Sequence, residues 1–279
     1  MKQKRDTFRD FISQFLIKHQ EWFRNKVVLD CPAGEGITAA CLQGLGAKVI
    51  AYDLFPEYFK VEGITCQMVD VMKGIPLADE SVDVIVCQEG IEHFSDQLKV
   101  MKEFSRVLKK GGRLLITTPN YSNLRAKLSY LLSESERFND LMPPNELDSI
   151  WLNNQSVNKE IYYGHIFLIG VQKLHVLGRI AGFKIQQVVF EKAKPTSLLL
   201  FPFLYPFIFL SNCFTYVKNM LGNKQFDLKV KKEVYGKAFR LSINPKILVD
   251  GSLFIVFEKE ATIEEMRLKL ERQKFPIKP

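Results

Sequence analysis

The chain has 279 residues, 47% of them hydrophobic and 25% charged, with a formal net charge of +8. That length buries one α/β core and leaves material for insertions, so a single elaborated domain is expected. Five cysteines without a CxxC pair argue against a zinc site or a disulfide frame; a charged N-terminus without a continuous apolar stretch argues against a secretory signal and leaves the cytoplasm as the expected compartment.

Along the chain, Phe8, Phe11, Ile12, Phe15, Leu16, His19, Trp22 and Phe23 recur at three- and four-residue steps. They predict a helix within residues 1–25 whose aromatic face covers a sheet, with a lid role as the weaker alternative and His19 as a structural residue. Val27-Val28-Leu29-Asp30 follows as a short buried strand ending in an acid, and Cys31-Pro32-Ala33-Gly34-Glu35-Gly36 as a glycine turn opening a helix over Ile37 to Leu45. Lys48-Val49-Ile50-Ala51-Tyr52 is a second strand ended by Asp53, an acid placed to meet the two hydroxyls of a ribose. Gly34-x-Gly36-x-x-Ala39 also fits the loose dinucleotide fingerprint. Asp30 separates the two readings, because its carboxylate repels a pyrophosphate and attracts a ligand carrying ammonium and sulfonium groups.

Further blocks come in a fixed order: Cys66-Gln67-Met68-Val69-Asp70, Ile75 to Ile85, Glu89-Gly90-Ile91-Glu92-His93, a helix ending Arg106-Val107-Leu108-Lys109-Lys110-Gly111-Gly112, and a strand Arg113 to Thr118 before Pro119-Asn120. Asp79, Glu80 and Asp83 read as turn or helix caps, and Lys109 and Lys110 as solvated charges at a helix end. Over residues 26–120 and 165–190 the chain resembles class I S-adenosylmethionine-dependent methyltransferases. The fold so implied is a doubly wound, mostly parallel, seven-stranded Rossmann-like α/β sheet, with a lid insertion after the fifth strand and an apolar-basic insertion before the last. The resemblance also implies S-adenosylmethionine as cofactor, held by Asp30, Ala33, Gly34, Gly36, Asp53, Leu54, Asp70, Val71 and Gln88. In a sheet of this kind Asp30, Asp53, Asp70 and Gln88 converge on one crevice at the carboxyl ends of the strands.

Residues 121–163 are polar, contain prolines and lack a period, which reads as a lid or substrate loop centred on Met142 to Glu146; Asn120 and Tyr121 are candidate substrate contacts. Leu174 to Gly182 reads as a helix, with His175 as a packing or surface residue. Phe183 to Phe190 and Ser252 to Glu258 read as strands, which the resemblance pairs antiparallel around an insertion over 191–250. Within it, Leu198 to Leu210 is apolar but interrupted by Pro202 and Pro206, too short and broken to span a bilayer. Lysines follow, from Lys218 to Lys237, with Arg240. Two readings stand open: a membrane-surface anchor across 198–240, or an apolar hairpin packed on the domain or in a dimer, rimmed by solvated lysines. Aromatic and basic residues are not interleaved as in single-strand readers, so nucleic acid is not favoured. Ala261 to Gln273 reads as a charged surface helix within a tail over 261–279, outside a domain of 26–260.

Glu89-x-x-Glu92-His93, with the later His165, stands out. Two carboxylates and two imidazoles suit a divalent cation such as magnesium or manganese, which would bind vicinal oxygens and acidify the one attacked. The pattern is similar to that of ubiquinone-pathway O-methyltransferases and of small-RNA terminal 2′-O-methyltransferases. Against a metal, the same Glu-His pair occurs in family members without one, where the histidine acts as the base or closes the pocket; on that reading His93 and Glu92 are the candidate catalytic residues here. The expectation is an O-methyltransferase for a small or lipid-linked acceptor, a quinone precursor or glycan. The alternatives are a methyltransferase-fold binding module without activity, or an RNA methyltransferase.

Overall fold

A computed structural model describes residues 7–135, 143–147, 149–152 and 161–274. The sheet is built from β1 (Val27–Asp30), β2 (Lys48–Asp53), β3 (Cys66–Met68), β4 (Val82–Gln88), β5 (Leu108–Pro119), β8 (Phe183–Val189) and β9 (Ser252–Lys259). Their order is β3-β2-β1-β4-β5-β9-β8. β1 to β5 run parallel, and β9 is antiparallel to both β5 and β8. This is the expected class I arrangement, and the chain between β8 and β9 is the expected insertion.

Hydrophobic patterning puts a layer on each face. α3 (Gln97–Val107) places Val100, Met101, Phe104 and Val107 on one side, where they join Leu29, Ile85 and Leu114 and Leu174 of α5 (Val171–Ile180) in one cluster. On the other side Phe15 and Leu16 of α1 (Thr7–Lys18), Phe23, and Leu42 of α2 (Ile37–Gly44) cover Val28, Val84 and Val256. Phe15 meets Phe254 edge-on at 4.7 Å, and His19 stacks on Trp22 at 4.2 Å, so His19 is the structural residue expected. α9 (Ile263–Lys274) is the expected surface helix, inserting Met266 into the fold.

Several expectations are corrected. Lys109 and Lys110 are not at a helix end: α3 stops at Val107 and β5 begins at Leu108. Lys109 pairs with Asp83 at 2.9 Å and Lys110 with Glu265 at 3.3 Å. Asp83 is a β4 residue accepting from the Val27 N–H at 2.9 Å, not a turn or cap, whereas Asp79 and Glu80 lie in the turn expected, Glu80 at φ 50° and paired with the buried Lys259. The aperiodic lid contains a helix, α4 (Leu124–Ser133), whose N-cap Asn123 accepts from the Ala126 N–H, and then a hairpin of β6 (Ile150–Leu152) and β7 (Ile161–Tyr163). Met142 lies outside the described residues. The apolar insert is unbroken: α6 (Pro195–Gly222) runs through both prolines for 28 residues and packs beside α7 (Leu228–Ser242), ahead of the short α8 (Pro245–Val249). By length and composition it reaches what a bilayer span needs, contrary to the expectation from the prolines.

Candidate active site

Parallel register sets the site. Asp30 pairs with Ala51 and Val86, and Asp53 with Met68, so β1, β2 and β4 deliver Asp30, Asp53 and Gln88 to the same sheet end, with Asp70 two residues past β3. All four line one cavity of about 530 Å³, within the range typical of cofactor sites. Ala33, Gly34, Leu54, Val71, Glu89 and His93 line it too. Gly36 does not: it caps α2 at φ 88°, and a Cβ there would collide with Val61 and Phe59, so its role is to turn the loop.

The acids sit in different environments. Asp53 is held by backbone donors, the Gly34 N–H at 2.7 Å and the Phe55 N–H at 2.8 Å. Asp70 accepts from the Met72 N–H at 3.0 Å and meets Lys73 at 3.4 Å. Asp30 is 1% exposed, and neither of its oxygens has a hydrogen-bond partner of full geometry among the described residues. Burial, then the charge of Asp53, pushes its carboxyl well above the usual carboxylate range, with the Ala39 N–H opposing weakly. A buried carboxylate with no cationic partner is costly, so its presence at a cavity wall marks a place for a cation. The surroundings agree: in a chain of net charge +8, the lining carries the carboxylates of Asp30, Glu35, Asp53, Asp70 and Glu89 against one guanidinium, Arg9. Burial likewise keeps the nearby thiols protonated, with Cys66 pushed up to about 11.

Past β4, Glu89 takes φ 46°, its N–H held by the Thr117 carbonyl at 3.0 Å and the Thr117 hydroxyl at 3.1 Å. A left-handed non-glycine residue at a cavity wall is the kind of strain that gathers at functional sites. The turn Ile91–His93 then places His93 on the wall and buries Glu92 behind it. Burial raises the Glu92 carboxyl to about 7, opposed by its own N–H and the Thr118 hydroxyl. Ligand atoms of Glu92, His93 and His165 lie within 4.8 Å of one another, and the two imidazoles are 5.2 Å apart. Glu89, expected in that set, is outside it because its strained backbone sends it to the cavity wall instead.

Asn120 is corrected as well. It is buried and donates to the Ile247 and Asp250 carbonyls at 2.8 and 2.9 Å, tying β5 to α8 rather than meeting a substrate. Tyr121 stands edge-on to Tyr130 of α4. His175 has its ring half-buried on α5 and is not among the residues lining the cavity, as expected.

Sequence reasoning missed Thr38, whose hydroxyl donates to Gln88 Oε1 at 2.6 Å, and Arg9 and Phe94 on the cavity wall. It also missed Gln97, whose amide donates to the Ile91 carbonyl at 3.0 Å and the Phe167 carbonyl at 2.6 Å. That side chain joins the turn bearing His93 to the segment bearing His165. Its signal was a polar residue at the buried start of an amphipathic helix.

Residues 29–116 match the family model described as "Methyltransferase domain". A ubiquinone biosynthesis O-methyltransferase of Xanthomonas oryzae pv. oryzae is 30% identical over 158 residues, 50% of this chain and 66% of that one. A demethylmenaquinone methyltransferase of Chlorobaculum parvum is 31% identical over 145 residues, 45% and 60% of the two chains. The chain thus spans slightly under two thirds of the length of the curated relatives it matches. Among solved structures, the YcgJ protein of Bacillus subtilis superposes with TM-score 0.52 at 17% identity, covering 90% of this chain and 99% of that one. A SAM dependent methyltransferase from Archaeoglobus fulgidus gives 0.51 at 12%, covering 90% and 94%. These two show the shared fold.

Proposed function

We propose, from the match of residues 29–116 to a methyltransferase-domain model and from the strand order of the sheet, that the protein transfers the sulfonium methyl of S-adenosylmethionine to an oxygen of a small or lipid-linked acceptor, such as a quinone precursor or glycan. The observation that carries this is the buried Asp30 carboxyl, which has no cationic partner among the described residues, on a cavity wall shared with Asp53 and Asp70. Asp30 would take the ammonium group. Asp53 spends one lone pair of each oxygen on Gly34 and Phe55, leaving others for the ribose hydroxyls. Asp70 would accept from the adenine amino group, with Leu54 and Val71 beside the ring. Gln88, its carbonyl fixed by Thr38, offers its amide N–H groups to the cavity.

When bound, S-adenosylmethionine supplies a methyl group already activated for in-line attack. The chain then has to align the acceptor, worth about 7 to 11 kcal/mol in well-oriented systems, and take one proton. His93 is placed to receive that proton at a ring nitrogen, with Glu92 and His165 beside it to hold the imidazolium that forms. The curated relatives named for ubiquinone and menaquinone steps support a quinone-type acceptor. Calorimetric titration with S-adenosylmethionine tests the reading; a protein that does not bind it refutes the assignment.

The clustering of Glu92, His93 and His165 favours a second reading, in which the three hold a divalent cation. One carboxylate and two imidazoles suit manganese better than magnesium, which prefers an all-oxygen shell. The ion would supply Lewis acidity toward an acceptor hydroxyl. Activity that survives exhaustive chelation rules this out and leaves His93 as the base.

A further inference from the structure

α6 presents an apolar stripe that no described residue covers. Leu199, Phe203, Phe207, Leu210, Phe214 and Leu221, three, four or seven residues apart, are each 65% to 73% exposed. At 1.5 Å per residue the 28-residue helix is about 42 Å long, so the stripe runs for most of a domain's width. Its opposite side is occupied, since Phe209 and Tyr216 pack on Phe239 of α7 at 6.2 and 5.5 Å. A monomeric soluble protein rarely leaves so long an apolar strip in water.

Charge selects the occupant. No acid occurs from Lys192 to Phe226, while Lys192, Lys194, Lys218 and Lys224 flank the stripe and Lys229, Lys232 and Arg240 follow on α7. A second copy laid along the stripe would set lysine against lysine with no acid from this helix to pair it. An anionic bilayer surface meets both the phenylalanines and the lysines. Spanning is opposed by α7, which is clasped to the C-terminal half of α6: Asn223 donates to Tyr235 at 2.6 Å and Lys231 to the Met220 carbonyl at 2.7 Å. Pushing α6 through the hydrocarbon would carry the α7 cations in with it. Leu131 and Leu132 are further exposed apolar residues at the end of α4, a helix that contacts α6 and starts shortly after β5 reaches the cavity side of the sheet.

We propose that α6 lies in the plane of a bilayer surface containing anionic lipids, stripe inward and lysines at the headgroups, so that the protein docks peripherally with its catalytic crevice beside the membrane. The docking does not rest on the methyltransferase reading, and its assay needs no cofactor. The full chain is sedimented with phosphatidylcholine vesicles with and without phosphatidylglycerol, at low and high salt, beside Phe207→Ser/Phe214→Ser and Lys218→Gln/Lys224→Gln. Binding that requires the anionic lipid, weakens with salt, drops at least about tenfold in the phenylalanine pair and more modestly in the lysine pair, and is released by alkaline carbonate, supports the proposal. Unchanged melting temperature in the variants certifies that they fold. Absence of vesicle binding, equal binding to neutral vesicles, or resistance to carbonate overturns it. So does a stable lipid-free dimer dissolved by the phenylalanine substitutions.

Discussion

The Gly34 N–H donates to Asp53 Oδ2 at 2.7 Å, so the acid that ends β2 also holds the loop that follows β1. Asp53 is therefore scaffold and candidate ligand at once. Asp53→Ala frees two backbone donors, those of Gly34 and Phe55, and is expected to cost about 1 to 3 kcal/mol of stability as well as S-adenosylmethionine affinity. Asp53→Asn keeps one carbonyl acceptor and should recover part of the stability but little of the affinity. Paired chemical unfolding and calorimetry separate the two effects.

Asp30 should trade stability for binding. Its folded pKa is raised, so its favourable contribution is complete below the unfolded value and is lost as pH rises through the folded one. At neutral pH the unliganded Asp30→Asn variant is expected to melt higher than wild type, by about 1 to 3 kcal/mol of stability, and the gap should close under acid conditions. S-adenosylmethionine affinity should fall at least about tenfold through loss of a charge-assisted contact. A variant that binds normally would remove Asp30 from the site.

Gly36 and Gly34 both have positive φ but different surroundings. A Cβ at Gly34 meets nothing within 4 Å, whereas one at Gly36 strikes Val61 and Phe59. Gly34→Ala should cost only the left-handed backbone penalty, about 1 to 2 kcal/mol. Gly36→Ala adds steric overlap to that and should unfold at clearly lower denaturant. Equal midpoints would show that the loop yields without cost.

Gln97 ties the turn bearing His93 to the segment bearing His165, so under the proposed function it is a positioning residue. Gln97→Leu should lower kcat about tenfold, as misplacement of a base does, with S-adenosylmethionine affinity unchanged. Loss of both together would instead indicate general unfolding of the site.

His175 provides a pH signature away from the cavity. Burial, then Lys237 and Arg179, lowers its pKa to about 4. The stability from keeping the ring neutral is present above the unfolded value near 6.5 and is lost as pH falls toward 4. The ring is partly exposed, so the loss is about 1 to 2 kcal/mol after screening. Urea unfolding across that range should show it in wild type and not in His175→Gln.

Residue order alone determined the sheet and which acids meet at one end of it. Apolar runs ending in Asp30 and Asp53, with Asp70 past a third strand, specify a parallel sheet, and parallel strands bring their ends together whatever their separation in the chain. Tertiary structure decided what depends on contacts between distant segments. Gln97 reaches Phe167, Asn120 turns to α8 instead of the substrate, and Glu89 leaves the Glu92, His93 and His165 group through a backbone strain held by Thr117. Pro202 and Pro206 predict a broken segment, yet α4, α7 and α8 pack against one continuous helix. The physical reason is the same throughout: periodicity and strand ends are local properties of the chain, whereas proline tolerance, rotamer choice and exposure are settled by neighbours that come into contact only on folding.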